Sequence, residues 1–211
     1  MKINEIFKSI QGESTYAGWP CTFVRLSGCN LRCSYCDTTY AYEEGEDLTV
    51  EDVLAKVQDL VCPLVEITGG EPLLQKEVST LIGKLLEKDY SVLLETNGSL
   101  DIGHVDPRVI RIMDIKCPDS GMSGRMDWEN IERLKGNDEV KFVLSSRNDY
   151  LWAKAIISQY DLEKKVTLLI SPVFGRLELE TLAEWIIADR LRVRLQLQLQ
   201  KYLRPAGTRH R

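Results

Sequence analysis

CTFVRLSGCNLRCSYCDT, residues 21–38, runs from a stretch rich in β-formers into a loop that packs Cys29, Cys33 and Cys36 into eight positions. A buried strand that opens into a loop of reactive side chains suits an α/β protein, which places its chemistry at the carboxyl ends of its strands. No fourth cysteine stands beside the three, and His104 and His210 are far away in sequence. A structural zinc site wants four ligands. Three thiolates on a cubane iron–sulfur cluster leave one iron without a protein ligand, the open position that a cluster needs to bind a substrate directly. A zinc site completed from elsewhere by Cys21, Cys62 or Cys117 is the competing reading of the same spacing.

Outward from this loop the chain alternates between two periods. LTVEDVLAKVQDL (48–60) has helical spacing, with Thr49 as N-cap and Asp52 at the capping-box position. LVEIT (64–68) reads as a strand ended by Gly69-Gly70, residues 73–88 as a helix, and SVLLET (91–96) as a strand ended by Asn97-Gly98. Further strands are predicted at 109–116, 140–145 and 166–171, and helices at 127–135, 149–159 and 178–189. RVRLQLQLQ (192–200) alternates strictly and predicts a last strand with one polar face.

Strand and helix in turn imply right-handed βαβ units and a mostly parallel sheet. About seven strands are too few for a full eightfold barrel, which takes about 250 residues. The expectation is an α/β fold, an incomplete TIM-type βα barrel with mostly parallel strands, forming one domain over residues 1–211. A doubly wound open sheet is the second choice.

Asp and Glu number 32 against 27 Lys and Arg, for a net charge of −5. That balance argues against a protein built to hold nucleic acid. Residues 1–20 lack the apolar run of a secretory signal, and no apolar stretch reaches the roughly 18 residues that span a bilayer. A cytoplasmic protein without a membrane partner is expected. Its thiols stay reduced there, so the clustered cysteines point to metal or catalysis rather than to disulfides.

The cysteine loop, with Tyr35 just before its last thiol, resembles the signature of radical S-adenosylmethionine enzymes, and TGGEP (68–72) resembles their Gly-Gly-Glu element. NEIFKSIQGEST (4–15), IMDIKCPDSG (112–121), ISPVFG (170–175) and LQLQLQKYL (195–203) narrow the likeness to the 7-carboxy-7-deazaguanine synthase family. The resemblance implies a 4Fe–4S cluster reduced by an external electron donor. It implies cleavage of S-adenosylmethionine to a 5′-deoxyadenosyl radical, which takes a hydrogen atom from C6 of 6-carboxy-5,6,7,8-tetrahydropterin. The ring then contracts with loss of ammonia.

Residue by residue, it implies Cys29, Cys33 and Cys36 on the cluster and Thr38 on Mg2+. Tyr35, Cys36, Asp37, Gly70, Asp114, Ile115 and Lys116 would line S-adenosylmethionine, joined by Ser171, Pro172, Val173 and Phe174. Ile10, Gln11, Gly12, Arg25 and Thr68 would hold the small-molecule pterin and its carboxylate, with Arg211 supplying a terminal carboxylate. Arg25 also stands out unaided, because a guanidinium in an apolar strand is costly to bury without an anion. Many relatives read LQLHKY near the end, whereas position 200 here is Gln. The family likeness further implies a homodimer. Two other functions share the cysteine loop: a radical activase acting on a glycine of a partner protein, and a non-catalytic zinc-stabilised binding module.

Overall fold

The computed structural model describes residues 1–203. Among them, β1 (Lys2–Ile10), β2 (Pro20–Leu26) and β3 (Glu46–Asp47) begin a sheet that α1 (Val50–Asp59) then crosses. There follow β4 (Leu64–Gly69), α2 (Glu77–Leu86), β5 (Ser91–Thr96), β6 (Ile110–Ile115), α3 (Asn130–Arg133) and β7 (Glu139–Leu144). The rest is α4 (Arg147–Gln159), α5 (Leu162–Lys165), β8 (Thr167–Pro172), α6 (Leu179–Asp189), β9 (Arg194–Leu195) and α7 (Gln200–Leu203). The strand order is β3-β1-β2-β4-β5-β6-β7-β8-β9. From β2 to β9 every neighbouring pair is parallel, while β1 and β3 add an antiparallel edge. The sheet curves without closing, a partial TIM-type barrel.

Alternation along each strand divides the side chains between two faces. Val65 and Ile67, Val92 and Leu94, and Val140 and Phe142 pack outward in the main apolar core, which includes Val53 and Val57 of α1 and Leu81 and Leu85 of α2. The opposite, concave face has a small apolar floor of Phe7, Phe23, Leu64, Leu93 and Ile112, where the two phenyl rings stack at 5.0 Å. Above that floor the concave positions are polar.

The capping box forms as expected: Thr49 accepts from the Asp52 N–H at 3.1 Å, and Asp52 accepts from the Thr49 N–H at 3.1 Å. Thr49→Ala is expected to cost about 1 kcal/mol, read as a lower urea midpoint with an unchanged slope.

The expected helix at 73–88 starts only at Glu77, because Glu71 caps a short turn over Pro72–Leu74 by accepting from the Leu73 N–H. The expected strand at 192–200 shrinks to Arg194–Leu195. Its alternating glutamines turn inward and spend their amides on the loop after β1. Gln196 Nε2 donates to Ser14 O at 2.8 Å, and Gln198 and Gln200 donate to Glu13 Oε1 at 3.0 and 2.7 Å. The Leu199 N–H donates to Gly12 O at 3.0 Å. These bonds bridge the gap between the first and last parts of the sheet where no strand pairing does.

Candidate active site

The concave positions above the apolar floor enclose a chamber of about 340 Å3. Its walls are Arg25 from β2, Glu66 and Thr68 from β4, Glu95 from β5, Asp114 from β6 and Lys141 from β7. The cysteine loop covers the carboxyl ends of these strands, and residues 9–14 enter from the end of β1.

Cys29, Cys33 and Cys36 all line this chamber as free, half-buried thiols. The loop that carries them is pinned: the Ser34 N–H donates to Ser120 O at 3.0 Å, and the Tyr35 hydroxyl donates to Val143 O at 3.1 Å. Gly70 comes so close that an added Cβ would collide with the Gly28 carbonyl and lie 3.0 Å from Cys29 Cβ. Three thiols on one wall beside a side-chain-free cradle fit a cluster with one open iron. Among the described residues no Cys, His, Asp or Glu trio is gathered on one point as a single metal ion requires, whereas cubane thiolates each take a different iron. Cys21, Cys62 and Cys117 are buried, and none of them lines the chamber.

Glu71, of the Gly-Gly-Glu element, is fully buried and committed to the protein. Its oxygens accept from the Leu73 N–H, the Asn97 N–H at 2.7 Å and the Thr96 hydroxyl at 2.9 Å. In Gly69–Glu71 only backbone groups are left for a ligand.

Arg25 has the anion that its burial requires. Its Nε donates to Glu5 Oε1 at 2.9 Å, and the Tyr40 hydroxyl donates to the same oxygen at 3.1 Å. Thr38 donates to Asp37 Oδ1 at 3.0 Å, which leaves its lone pairs for a cation. The other Asp37 oxygen accepts from Lys201 of α7. Burial works against the Asp37 carboxylate, but the Lys201 ammonium and the Thr38 hydroxyl together hold its pKa below the usual range.

The chamber wall is a charged belt. Lys141 Nζ donates to Glu13 Oε2 at 2.8 Å and to Glu95 Oε1, and it lies 3.5 Å from Asp114 Oδ1. Lys116 Nζ donates to Asp114 Oδ2 at 2.7 Å. Burial opposes both ammonium groups, yet the carboxylates around them raise their pKa values. Burial alone would raise Glu95, but Lys141 and the Thr68 hydroxyl bring it down to about 2. Glu66 makes no ion pair among the described residues; burial and the neighbouring Glu95 charge outweigh the Gln11 amide and the more distant Lys141 and push it well above the usual carboxylate value.

Of the residues expected from the sequence, Ile10, Gln11, Gly12, Arg25, Thr68, Gly70, Asp114 and Lys116 line the chamber, as do Tyr35, Asp37, Thr38, Val173 and Phe174. Ser171 and Pro172 do not line it, and Ile115 packs outward into the apolar core, so only its backbone can reach a ligand. Arg211 lies outside the described residues. Glu13, Glu66, Glu95, Lys141, Gln198 and Lys201 were not expected. The signal for Glu66, Glu95 and Lys141 was the one already used for Arg25, a charge inside an apolar strand.

Residues 23–114 match the radical SAM superfamily. A 7-carboxy-7-deazaguanine synthase from Chlorobaculum tepidum is 48% identical over 206 residues, covering 96% of this chain and 94% of that protein. One from Methanospirillum hungatei is 40% identical and covers 96% of this chain and 85% of that protein. The crystal structure of QueE from Escherichia coli has a TM-score of 0.76 at 25% identity, spanning 92% of this chain and 93% of that one. Likeness of this extent, on a fold that brings three thiols and a glycine cradle to one chamber, means that the chain belongs to the 7-carboxy-7-deazaguanine synthase family of radical S-adenosylmethionine enzymes.

Proposed function

We propose that the chain contracts 6-carboxy-5,6,7,8-tetrahydropterin to 7-carboxy-7-deazaguanine inside this chamber, with Cys29, Cys33 and Cys36 holding the 4Fe–4S cluster. When bound and reduced, the cluster and S-adenosylmethionine supply the radical that takes a hydrogen atom from the pterin. The chain's own residues position the reactants. Gly70, whose missing side chain lets it lie against the Gly28 carbonyl and Cys29, brings its backbone beside the thiols, and with Glu71 occupied that backbone accepts the ammonium of S-adenosylmethionine. Tyr35 ties the cysteine loop to β7, and Asp114, Lys116 and the backbone through Val173 and Phe174 border the nucleoside side. Arg25, held by Glu5 and Tyr40, offers its planar fork to the pterin carboxylate. Ile10 to Gly12 and Thr68 face the ring.

Mg2+ would sit on Thr38, a hard oxygen donor, with the substrate carboxylate and water completing its shell. The homodimer and the cytoplasmic site of action belong to the same reading, as does the external electron donor.

The observation that carries this proposal is the sharing of one chamber by the three thiols and Arg25. The test is anaerobic reconstitution, reduction and addition of S-adenosylmethionine, Mg2+ and the pterin acid, with products followed by mass. A deazaguanine acid with released ammonia is expected. 5′-Deoxyadenosine with untouched pterin would refute the substrate assignment and favour a radical activase.

Thr38→Ala tests the metal. The cluster absorbance should be unchanged, and the Mg2+ concentration for half-maximal turnover should rise about tenfold, one modest ligand's worth. An unchanged Mg2+ dependence would remove Thr38 from the metal site.

A further inference from the structure

Glu66 is a charged residue type with 4% exposure, placed mid-strand on β4 and two positions before Thr68 on the same face. It lines the chamber. Its Oε2 accepts from Gln11 Nε2. The orientation of that amide is fixed, because Gln11 Oε1 accepts from the Glu13 N–H at 3.1 Å. Glu66 Oε1 has no hydrogen-bond partner among the described residues.

The groups facing Glu66 are Gln11 and Glu13 from the loop after β1, the Cys21 thiol from β2, Glu95 from β5 and Lys141 from β7. Lys141 is engaged by Glu13, Glu95 and Asp114 and makes no ion pair with Glu66 among the described residues. A buried carboxylate without a cation, beside another carboxylate, takes up a proton rather than remain charged. With Oε2 receiving the Gln11 amide hydrogen, that proton belongs on Oε1. Glu13 and Glu95 are anions and can only accept hydrogen bonds, so the wall carries an acid that donates next to carboxylates that accept. A pterin's 2-amino-4-oxo edge has the complementary arrangement, N–H donors beside a carbonyl acceptor.

We propose that Glu66 is a substrate-contacting residue that presents the hydroxyl of a neutral carboxyl group to the carbonyl acceptor of the pterin. The inference rests on the pterin reading above and adds a specificity contact to it. The direction of the Glu66 shift agrees: the neutral form persists until pH rises through its raised pKa. Beyond that point the donor is lost and a second anion appears beside Glu95.

The test is steady-state turnover of 6-carboxytetrahydropterin by the reconstituted, reduced enzyme across pH, for the wild type, Glu66→Gln and Glu66→Leu. Glu66→Leu should raise KM about tenfold, the effect of one lost buried hydrogen bond, with kcat changed far less. Glu66→Gln keeps a donor in its NH2 group, so its KM should stay within about threefold of the wild type. The wild-type KM should rise at the alkaline end, and this rise should vanish in Glu66→Gln, which cannot ionise. Equal KM values for all three proteins would overturn the proposal, as would an alkaline rise that survives in Glu66→Gln. If Glu66→Leu does not fold, the wild type and Glu66→Gln compared across pH decide alone. A wild type that leaves the pterin untouched removes the substrate reading and this inference together; normal turnover blind to position 66 removes only the inference.

Discussion

Cys33→Ala is expected to assemble no 4Fe–4S cluster and to form no 5′-deoxyadenosine, a complete loss rather than a graded one. A cubane held by two thiolates has two open irons, and the geometry that presents one iron to S-adenosylmethionine is gone. The fold should tolerate the change. Cys33 is half-buried at the chamber rim, its thiol pushed up by burial against the pull of Lys116, and the loop bond at this position, Cys36 N–H to Cys33 O at 3.2 Å, is a backbone bond that the substitution leaves in place. The unfolding free energy should move by no more than about 0.5 kcal/mol. The contrast that makes the result specific is Cys117→Ala, together with Cys21→Ala and Cys62→Ala. These thiols are 0–3% exposed and absent from the chamber wall, so each variant should bind iron and sulfide as the wild type does. Loss of the cluster in one of these three, or its retention in Cys33→Ala, would mean that a different set of thiols holds the metal.

What the sequence disclosed follows from how locally each feature is encoded. α1 carries its own start signal in Thr49 and Asp52, and the parallel strands at 64–69, 91–96 and 167–172 are short runs of strand length rich in apolar β-formers. Those elements, and the thiols whose spacing is itself the message, could be read from a dozen residues at a time. The failures were non-local. RVRLQLQLQ has a strand's period, yet its fate was set by Ser14 and Glu13, more than 180 residues earlier, which accept the amides that a strand would have left exposed. The charged belt escaped notice for a related reason. Glu66, Glu95 and Lys141 each look like an isolated polar interruption of a strand, and only the parallel register brings them side by side. Glu5, the partner of Arg25, lay on β1, a strand that was not expected at all.

That belt has one cation at its centre, and Lys141→Met should expose how much depends on it. Methionine fits the volume of a side chain that is 4% exposed, so packing changes little. The charge balance changes severely, since Glu13, Glu95 and Asp114 would face each other without the ammonium. Removing one member of a buried ionic group costs about 3–5 kcal/mol. Glu95 retains a quarter of its side chain in contact with solvent, which places the expected loss toward the lower end. Against a total stability of about 5–15 kcal/mol this is a large fraction. The pH dependence identifies the cause. In the wild type, Glu95 is depressed to about 2, so its stabilising contribution is present above the unfolded carboxylate range and is lost as pH falls through that range toward 2. In Lys141→Met, Asp114 keeps Lys116, but Glu95 loses its ion-pair partner, its pKa rises, and its protonation relieves the repulsion with the neighbouring carboxylates. Stability should therefore increase on going from pH 7.5 to pH about 5.5 in the variant, while the Glu95 contribution in the wild type is flat there. Urea midpoints of the cluster-free proteins at the two pH values measure both effects. Parallel shifts in the two proteins would show that Lys141 is not the compensating charge, and that the belt is held by solvent and by its neutral hydrogen bonds from Gln11, Gln198 and Gln200.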